Sequence, residues 1–239
     1  MILIFNNLTT FGQSFKEAQK KYPRVRDAYE SKESTVKALL KAHQITAPYQ
    51  LFWRAFKDEG LFELWAKGAS QTKFTLVKTY KICEASGVLG PKRKLNDLQV
   101  PEGFYHVNHF NPNSNFLLSF GINYPNASDR VLSNKKSPGG NIYIHGSCVT
   151  LGCIPLTDDC IQEIYVMAVE AKNSGQTQIP VHIFPFKMTS EHCKRFYEEY
   201  KANPNLVSFW KNIEKGYSLF EENKIPPKFT VNQKGQYVW

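Results

Sequence analysis

Long apolar runs are what this 239-residue chain has least of. No stretch approaches the roughly 20 apolar residues that a bilayer-spanning helix needs. The opening Met1-Ile2-Leu3-Ile4-Phe5 is apolar but short, lacks a basic flank and meets Asn6-Asn7 at once. This excludes a spanning helix, argues against stable membrane insertion, and leaves a secretory leader truncated or absent from this chain. Cysteine is sparse and odd in number, at Cys83, Cys148, Cys153, Cys160 and Cys193. At least one thiol is therefore unpaired within a monomer, and the density is too low for a scaffold that depends on disulfides. No CxxC pair, internal repeat or low-complexity segment is present, which weighs against a zinc-stapled module and excludes a solenoid. Acidic charge is also in short supply: 21 Asp and Glu face 30 Lys and Arg, for a net charge of +9. The basic clusters Lys20-Lys21 and Lys92-Arg93-Lys94 are too short for a nucleic-acid footprint. An anionic partner other than nucleic acid is expected.

Aromatic residues make up 14% of the chain and hydrophobic residues 42%, enough for a substantial core and too many for a disordered protein. From about Phe15 to Ile45 the composition predicts helices, broken near Pro23 and Ser31. Residues 51–56 and 61–66, separated by Asp58-Glu59-Gly60, predict an aromatic hairpin, and residues 74–82 alternate as the next strand. Extended runs follow at 103–107 and 115–122, with 123–130 as a structured loop. Asn141-Ile142-Tyr143-Ile144 forms a strand that ends at His145. Thr157 or Asp158 caps a helix running to about Ala171, and residues 181–186 form a strand. Helices over 190–202 and 205–223 precede a final strand near 229–238. Strands in the centre and helices at the ends make the fold class α+β, built on a mainly antiparallel sheet or sandwich. The expected division is an N-terminal helical extension over 1–49, a catalytic domain over 50–190, and C-terminal helices with a final strand over 191–239.

The segment His145-Gly146-Ser147-Cys148-Val149-Thr150-Leu151-Gly152-Cys153 carries the chemistry. A strand, a tight turn and then a helix present a reactive side chain at a sheet edge. A thiol attacks a carbonyl as thiolate, so Cys153 needs a base, and His145 is the candidate. Gly152 permits a positive φ and lets substrate approach main-chain N–H groups, those of Gly152 and Cys153 among them, that can stabilise an oxyanion. What orients the histidine is not evident; His106 and His109 are weak candidates that fit polar loop positions better. Three alternatives stand beside this reading. The cysteines can be small buried apolar residues. A zinc site can gather His145, Cys148 and Cys153 with Cys160, His182 or His192-Cys193. A Cys148–Cys153 disulfide is the third, and it would silence the nucleophile.

His145-Gly146, Ser147 and Gly152-Cys153 resemble the signature of the L,D-transpeptidase catalytic domain, the YkuD-type family, and most of all its YafK-like branch. The resemblance continues upstream in Lys78-Thr79-Tyr80-Lys81-Ile82-Cys83, in Ser86-Gly87-x-Leu89-Gly90-Pro91-Lys92, in Pro101-Glu102-Gly103-Phe104-Tyr105, in Asn111-Pro112-Asn113-Ser114-Asn115 and in Tyr124-Pro125-Asn126. It spans roughly residues 50 to 190. It implies a cofactor-free enzyme, periplasmic or otherwise exported, that acts on peptidoglycan stem peptides. Cys153 would attack the carbonyl before a terminal D-alanine and form a thioester with His145 as base. An amine of another stem, or a wall-anchored protein lysine, would then take the acyl group. YafK-like members also suggest an amidase or carboxypeptidase outcome at the same type of bond. The chain departs from the commoner pattern in its short His145-to-Cys153 spacer and in having Ile154 where an arginine follows the cysteine. Candidate substrate contacts are Ser147, Tyr80, Asn123, Tyr124 and Arg130, and no metal ligand is expected.

Overall fold

The computed structural model describes residues 13–239; the apolar Met1–Phe5 segment lies outside them. Helix α1 (Phe15–Lys20) is capped by the Ser14 side chain, which accepts from the Glu17 N–H. Helix α2 (Pro23–Ala42) starts on a proline at its first turn, where the missing N–H costs nothing. The break expected at Ser31 does not occur. Its hydroxyl donates back to the Asp27 carbonyl at 2.8 Å, which a helix interior tolerates.

Strands β1 (Tyr49–Phe56) and β2 (Leu61–Gly68) form the predicted hairpin in full register from Tyr49 opposite Gly68 to Phe56 opposite Leu61. β3 (Thr75–Lys81) and β4 (Gly103–Asn111) follow. β5 is confined to Ser119–Ile122, shorter than its apolar run, because residues 115–118 turn and Leu117 takes a φ of 64°. The segment expected to be loop around residue 128 is helix α3 (Ala127–Leu132). Its signal is a capping box in which Asn126 accepts from the Asp129 N–H and Asp129 from the Asn126 N–H.

β6 (Tyr143–His145) ends at the histidine as predicted, and a two-residue strand β7 (Ile154–Pro155) lies beside it. Helix α4 (Asp158–Asn173) begins at the Thr157 cap, and β8 (Pro180–Phe184) is the last strand of the main sheet. α5 (Ser190–Glu199) and α6 (Pro204–Asn223) follow, and the expected final strand is instead a small hairpin, β9 (Thr230–Val231) with β10 (Tyr237–Val238). Asn232 turns it, its side-chain oxygen accepting from the Lys234 and Gln236 N–H groups.

The main sheet has the order β3-β2-β1-β8-β4-β5-β6-β7. Only the β1–β8 and β6–β7 pairs are parallel, so the sheet is mainly antiparallel and the class is α+β. It curls until its two edges meet, for the Cys83 N–H just beyond β3 donates to the Pro155 carbonyl of β7 at 3.1 Å. One core packs α2 and α4 against the sheet, with Trp53, Phe120 and Tyr165 fully buried and in ring contact. A second joins Phe56, Phe104 and Phe184 of the sheet to Phe196, Trp210 and Tyr217 of α5 and α6. A buried ion pair reinforces that junction. Glu102 is fully enclosed and accepts from Lys57 Nζ at 2.9 Å, the Gly90 N–H at 2.7 Å and Trp210 Nε1 at 2.8 Å.

Candidate active site

His145 closes β6, which is held in the sheet by β5 through Ser119 opposite His145 and Phe120 opposite Ile144. On the other side Ile144 pairs with Ile154 and His145 with Pro155. Cys153 comes one position before β7, level with Tyr143, whose N–H donates to Sγ at 3.4 Å. With strands about 4.8 Å apart and a rise of about 3.3 Å per residue, the His145 and Cys153 α-carbons lie roughly 8 Å apart. Among the described residues no hydrogen bond joins imidazole and thiol.

The loop between the two residues is tightly specified. Ser147 has a φ of 66° and its N–H donates to Asp158 Oδ1 at 2.8 Å, tying the loop to the first turn of α4. Gly146 has no room for a side chain: a Cβ would stand 2.7 Å from Asp158 Oδ1, 2.9 Å from Ile161 Cγ2 and 2.9 Å from the Phe116 carbonyl oxygen. Gly152 has a φ of 112°, and a Cβ there would approach the Gln99 carbonyl to 3.0 Å. Thr150 Oγ1 both accepts from the Cys153 N–H and donates to the Cys153 carbonyl, each at 2.9 Å. The Cys153 N–H is thus committed within the loop and is not the free oxyanion donor that was expected, whereas the Gly152 N–H has no partner among the described residues.

Cys148 is bonded to Cys83, with α-carbons 5.4 Å apart, so the Cys148–Cys153 pairing does not form. Cys153, Cys160 and Cys193 are free thiols. The zinc alternative fails on the same fact, because one of its ligands is consumed and His182 is sealed in the core between the edges of Phe52 and Phe104. Among the described residues no group of three His, Cys, Asp or Glu side chains is arranged to hold a metal ion.

The orienting group that the sequence did not disclose is a main-chain carbonyl. His145 Nδ1 lies 2.6 Å from the Gly146 carbonyl oxygen, and a carbonyl only accepts. Nδ1 therefore carries the proton, and the Nε2 lone pair is left free to take one. Phe116 stacks on the ring at 4.6 Å and fixes its plane. Burial pushes the His145 pKa below its usual value, partly opposed by the Gly146 bond. Burial likewise pushes the Cys153 thiol up, opposed by the Tyr143 N–H and the charge of Lys92. Both directions favour a neutral imidazole beside a neutral thiol at pH 7.

Cys153 forms part of the wall of a cavity of about 310 Å³ shared with Ala55, Lys57, Ile82, Ser86, Val100 and Ile183. The Ser86 hydroxyl is buried there without a hydrogen-bond partner among the described residues. A thiol in the wall of a small cleft, a histidine with its free nitrogen defined, and a glycine-bounded loop form an arrangement suited to acyl transfer.

The pattern of the L,D-transpeptidase catalytic domain matches residues 57–183, from the end of β1 to β8. The chain belongs to this family. It is 37% identical over 190 residues to YafK of Escherichia coli strain K12, a span covering 79% of this chain and 73% of that protein. Among solved structures it is similar to the helical cell shape determining protein Pgp2 of Campylobacter jejuni, with 17% identity, TM-score 0.46, and 78% of this chain and 74% of that one covered. It is also similar to Mycobacterium tuberculosis L,D-transpeptidase 1, with 15% identity, TM-score 0.31, and coverage of 56% and 62%.

None of the five residues named from sequence as substrate contacts lines the Cys153 cavity. Tyr80 is buried, and its hydroxyl donates to Glu163 Oε1 of α4 at 2.7 Å, so it is a strut between sheet and helix. Tyr124 is buried and donates to the Pro138 carbonyl at 2.9 Å, bracing the loop before β6. The Asn123 side chain accepts from the His106 N–H at 2.8 Å, and the His106 ring meets Gln178, well apart from the histidine it was considered to orient. Arg130 is exposed on α3, and Ser147 is half-buried in the loop itself. Ile82 and Ser86, which do line the cavity, fall within motifs of the family resemblance, whereas Val100 carried no distinguishing signal.

Proposed function

We propose that this chain is a cysteine-dependent L,D-transpeptidase acting on peptidoglycan stem peptides. The observation that carries the reading is the commitment of His145 Nδ1 to the Gly146 carbonyl, which leaves Nε2 basic on the strand beside Cys153. With thiol and imidazole both neutral at rest, the proton leaves sulfur as substrate is attacked, and catalytic contacts of this kind tighten in the substrate complex. Cys153 Sγ attacks the carbonyl preceding a terminal D-alanine while Nε2 accepts the thiol proton. Collapse of the tetrahedral intermediate passes that proton to the departing D-alanine amine and leaves a thioester. The Tyr143 N–H supports negative charge on sulfur, and the unpartnered Gly152 N–H is suited to the oxyanion. The amine of a second stem, or of a wall-anchored protein lysine, then attacks the thioester carbonyl, Nε2 takes a proton from the attacking nitrogen, and the C–S bond breaks as that proton returns to sulfur.

An exported location follows from the same reading, and the Cys83–Cys148 bond supports an oxidising compartment. Residues 50–190 would be the catalytic domain, with 1–49 and 191–239 as its flanking helical extensions. Incubation with purified muropeptides, followed by mass analysis of products, tests the reaction. Cross-linked dimers with release of D-alanine are expected, lost in C153A and H145A. Trimmed monomers alone would instead assign a hydrolase using the same thioester, and products unaffected by C153A would overturn the site. A mass increase of Cys153 by a carbapenem reports the nucleophile independently of the acceptor.

A further inference from the structure

A second cavity, of about 600 Å³, opens between the loop at residues 89–99, the start of α6 and the β9–β10 hairpin. Its charged lining is cationic, and the remaining polar groups are neutral. Arg93 and Lys234 supply cationic groups, Gln99, Asn205 and Gln236 supply amides, and no carboxylate lines it. The Arg93 guanidinium is held in advance of any ligand: Nη1 donates to Asp129 Oδ1 at 3.0 Å, and its plane rests over the Phe209 ring at 4.9 Å. Its Nε and Nη2 have no partner among the described residues, and neither does Lys234 Nζ. A guanidinium fixed on one edge and free on the other loses little entropy on receiving two oxygens of a carboxylate. The two cations and Asp129 leave one positive charge uncompensated, so a single anionic group completes the balance. The groove also neighbours the thiol loop, since Gln99 lines it and the Gln99 carbonyl is the atom that a side chain at Gly152 would meet, 3.0 Å from its Cβ.

We propose that this groove is a carboxylate-binding subsite centred on Arg93 and Lys234, taking an anionic group of the substrate. The carboxylate chemistry stands on the groove alone, whereas its assignment to wall material rests on the function proposed above. Two sources offer it: the carboxylates of a stem peptide and the lactyl carboxylate of a muramyl sugar that carries no stem, since an attached stem converts that carboxylate to an amide. Titration calorimetry of the full chain with a free stem tetrapeptide, with N-acetylmuramic acid and with uncharged N-acetylglucosamine separates them. At least one anionic probe is expected to bind, more weakly as salt rises, and roughly tenfold or more weakly in Arg93→Gln. Lys234→Gln, on an exposed turn, repeats the test where loss of the Asp129 contact would compromise folding. Whichever anionic probe binds identifies the source. Binding of the uncharged sugar as strong as that of either acid, binding indifferent to both substitutions, or no binding at all would overturn the subsite. Carbapenem acylation of Cys153 is read separately, so loss of this proposal and loss of the enzyme reading are told apart.

Discussion

Replacing both Cys83 and Cys148 by serine should cost this protein a large part of its stability. The bridge closes a loop 65 residues long in sequence. In the chain-entropy account such a closure removes about 4 kcal/mol of conformational freedom from the unfolded state. Its place in the fold adds to the argument, because it joins the end of β3 to the loop after β6, where the two edges of the curled sheet meet. Among the described residues, one main-chain hydrogen bond, from the Cys83 N–H to the Pro155 carbonyl, also joins those edges near the site. For a chain of this length a loss of 1 kcal/mol lowers Tm by about 2–4 °C, so the double variant should melt roughly 8–16 °C lower. Differential scanning calorimetry of the two proteins at the same pH gives the comparison. Titration of thiols in denaturant should find three in the parent protein, matching Cys153, Cys160 and Cys193. A Tm unchanged within about 2 °C, or five reactive thiols in the unreduced protein, would refute the reasoning.

Tyr80→Phe should lower stability by about 2 kcal/mol in urea titrations, because it strips a donor from the buried Glu163 carboxylate, while leaving KM for a stem peptide unchanged. A raised KM with intact stability would restore the substrate role first assigned to this residue. Gly146→Ala should destabilise by about 1–3 kcal/mol through overpacking against Asp158, Ile161 and Phe116, and should reduce turnover more than binding, because the carbonyl that orients His145 moves with the loop. Measured kcat and KM, set beside Tm, check it. His182 is fully enclosed, its Nδ1 has no partner among the described residues, and burial, aided by Arg54, holds its pKa well below the usual value. The unfolded chain therefore binds a proton that the folded chain refuses. Its contribution to stability is complete above about pH 6.5 and is lost as pH falls, by up to about 1.4 kcal/mol per pH unit. The urea midpoint of His182→Phe should accordingly fall less between pH 7.5 and 5.5 than that of the parent, and equal falls would show that the histidine does not couple folding to protons.

Local patterning alone was enough to determine the hairpin of β1 and β2, the strand ending at His145, the start of α4 to within one residue and the glycine requirement at residue 152. Each follows from side-chain period, cap chemistry or backbone sterics within a few residues, which operate before the chain is folded. The α+β class followed from the order of those segments, and the thiol and imidazole were named because their chemistry is intrinsic to the residue types. Where local structure departs from the sequence pattern the causes are local too: α3 lies in turn-forming residues that its capping box makes helical, and β5 is shorter than its apolar run because Asn115–Leu118 is as apolar as a strand but turns on Leu117.

Only the tertiary structure could decide what depends on residues distant in sequence. The partner of Cys148 is 65 positions away, beyond any local pattern, and the nearby Cys148–Cys153 pairing weighed as an alternative does not form. Tyr80 and Tyr124 carry a polar tip that suits a ligand equally well until Glu163 and Pro138 are seen to occupy it. Glu102 and Lys57 look like surface charges in the sequence, yet they meet in the interior and bind α6 to the sheet through Trp210. The cavity beside Cys153 is walled by β1, β8 and the segment after β3, brought together only by the curl of the sheet. Periodicity and capping are properties of short segments, whereas cavities, disulfide partners and buried ion pairs are properties of closure, and closure is set by the sum of many weak long-range contacts.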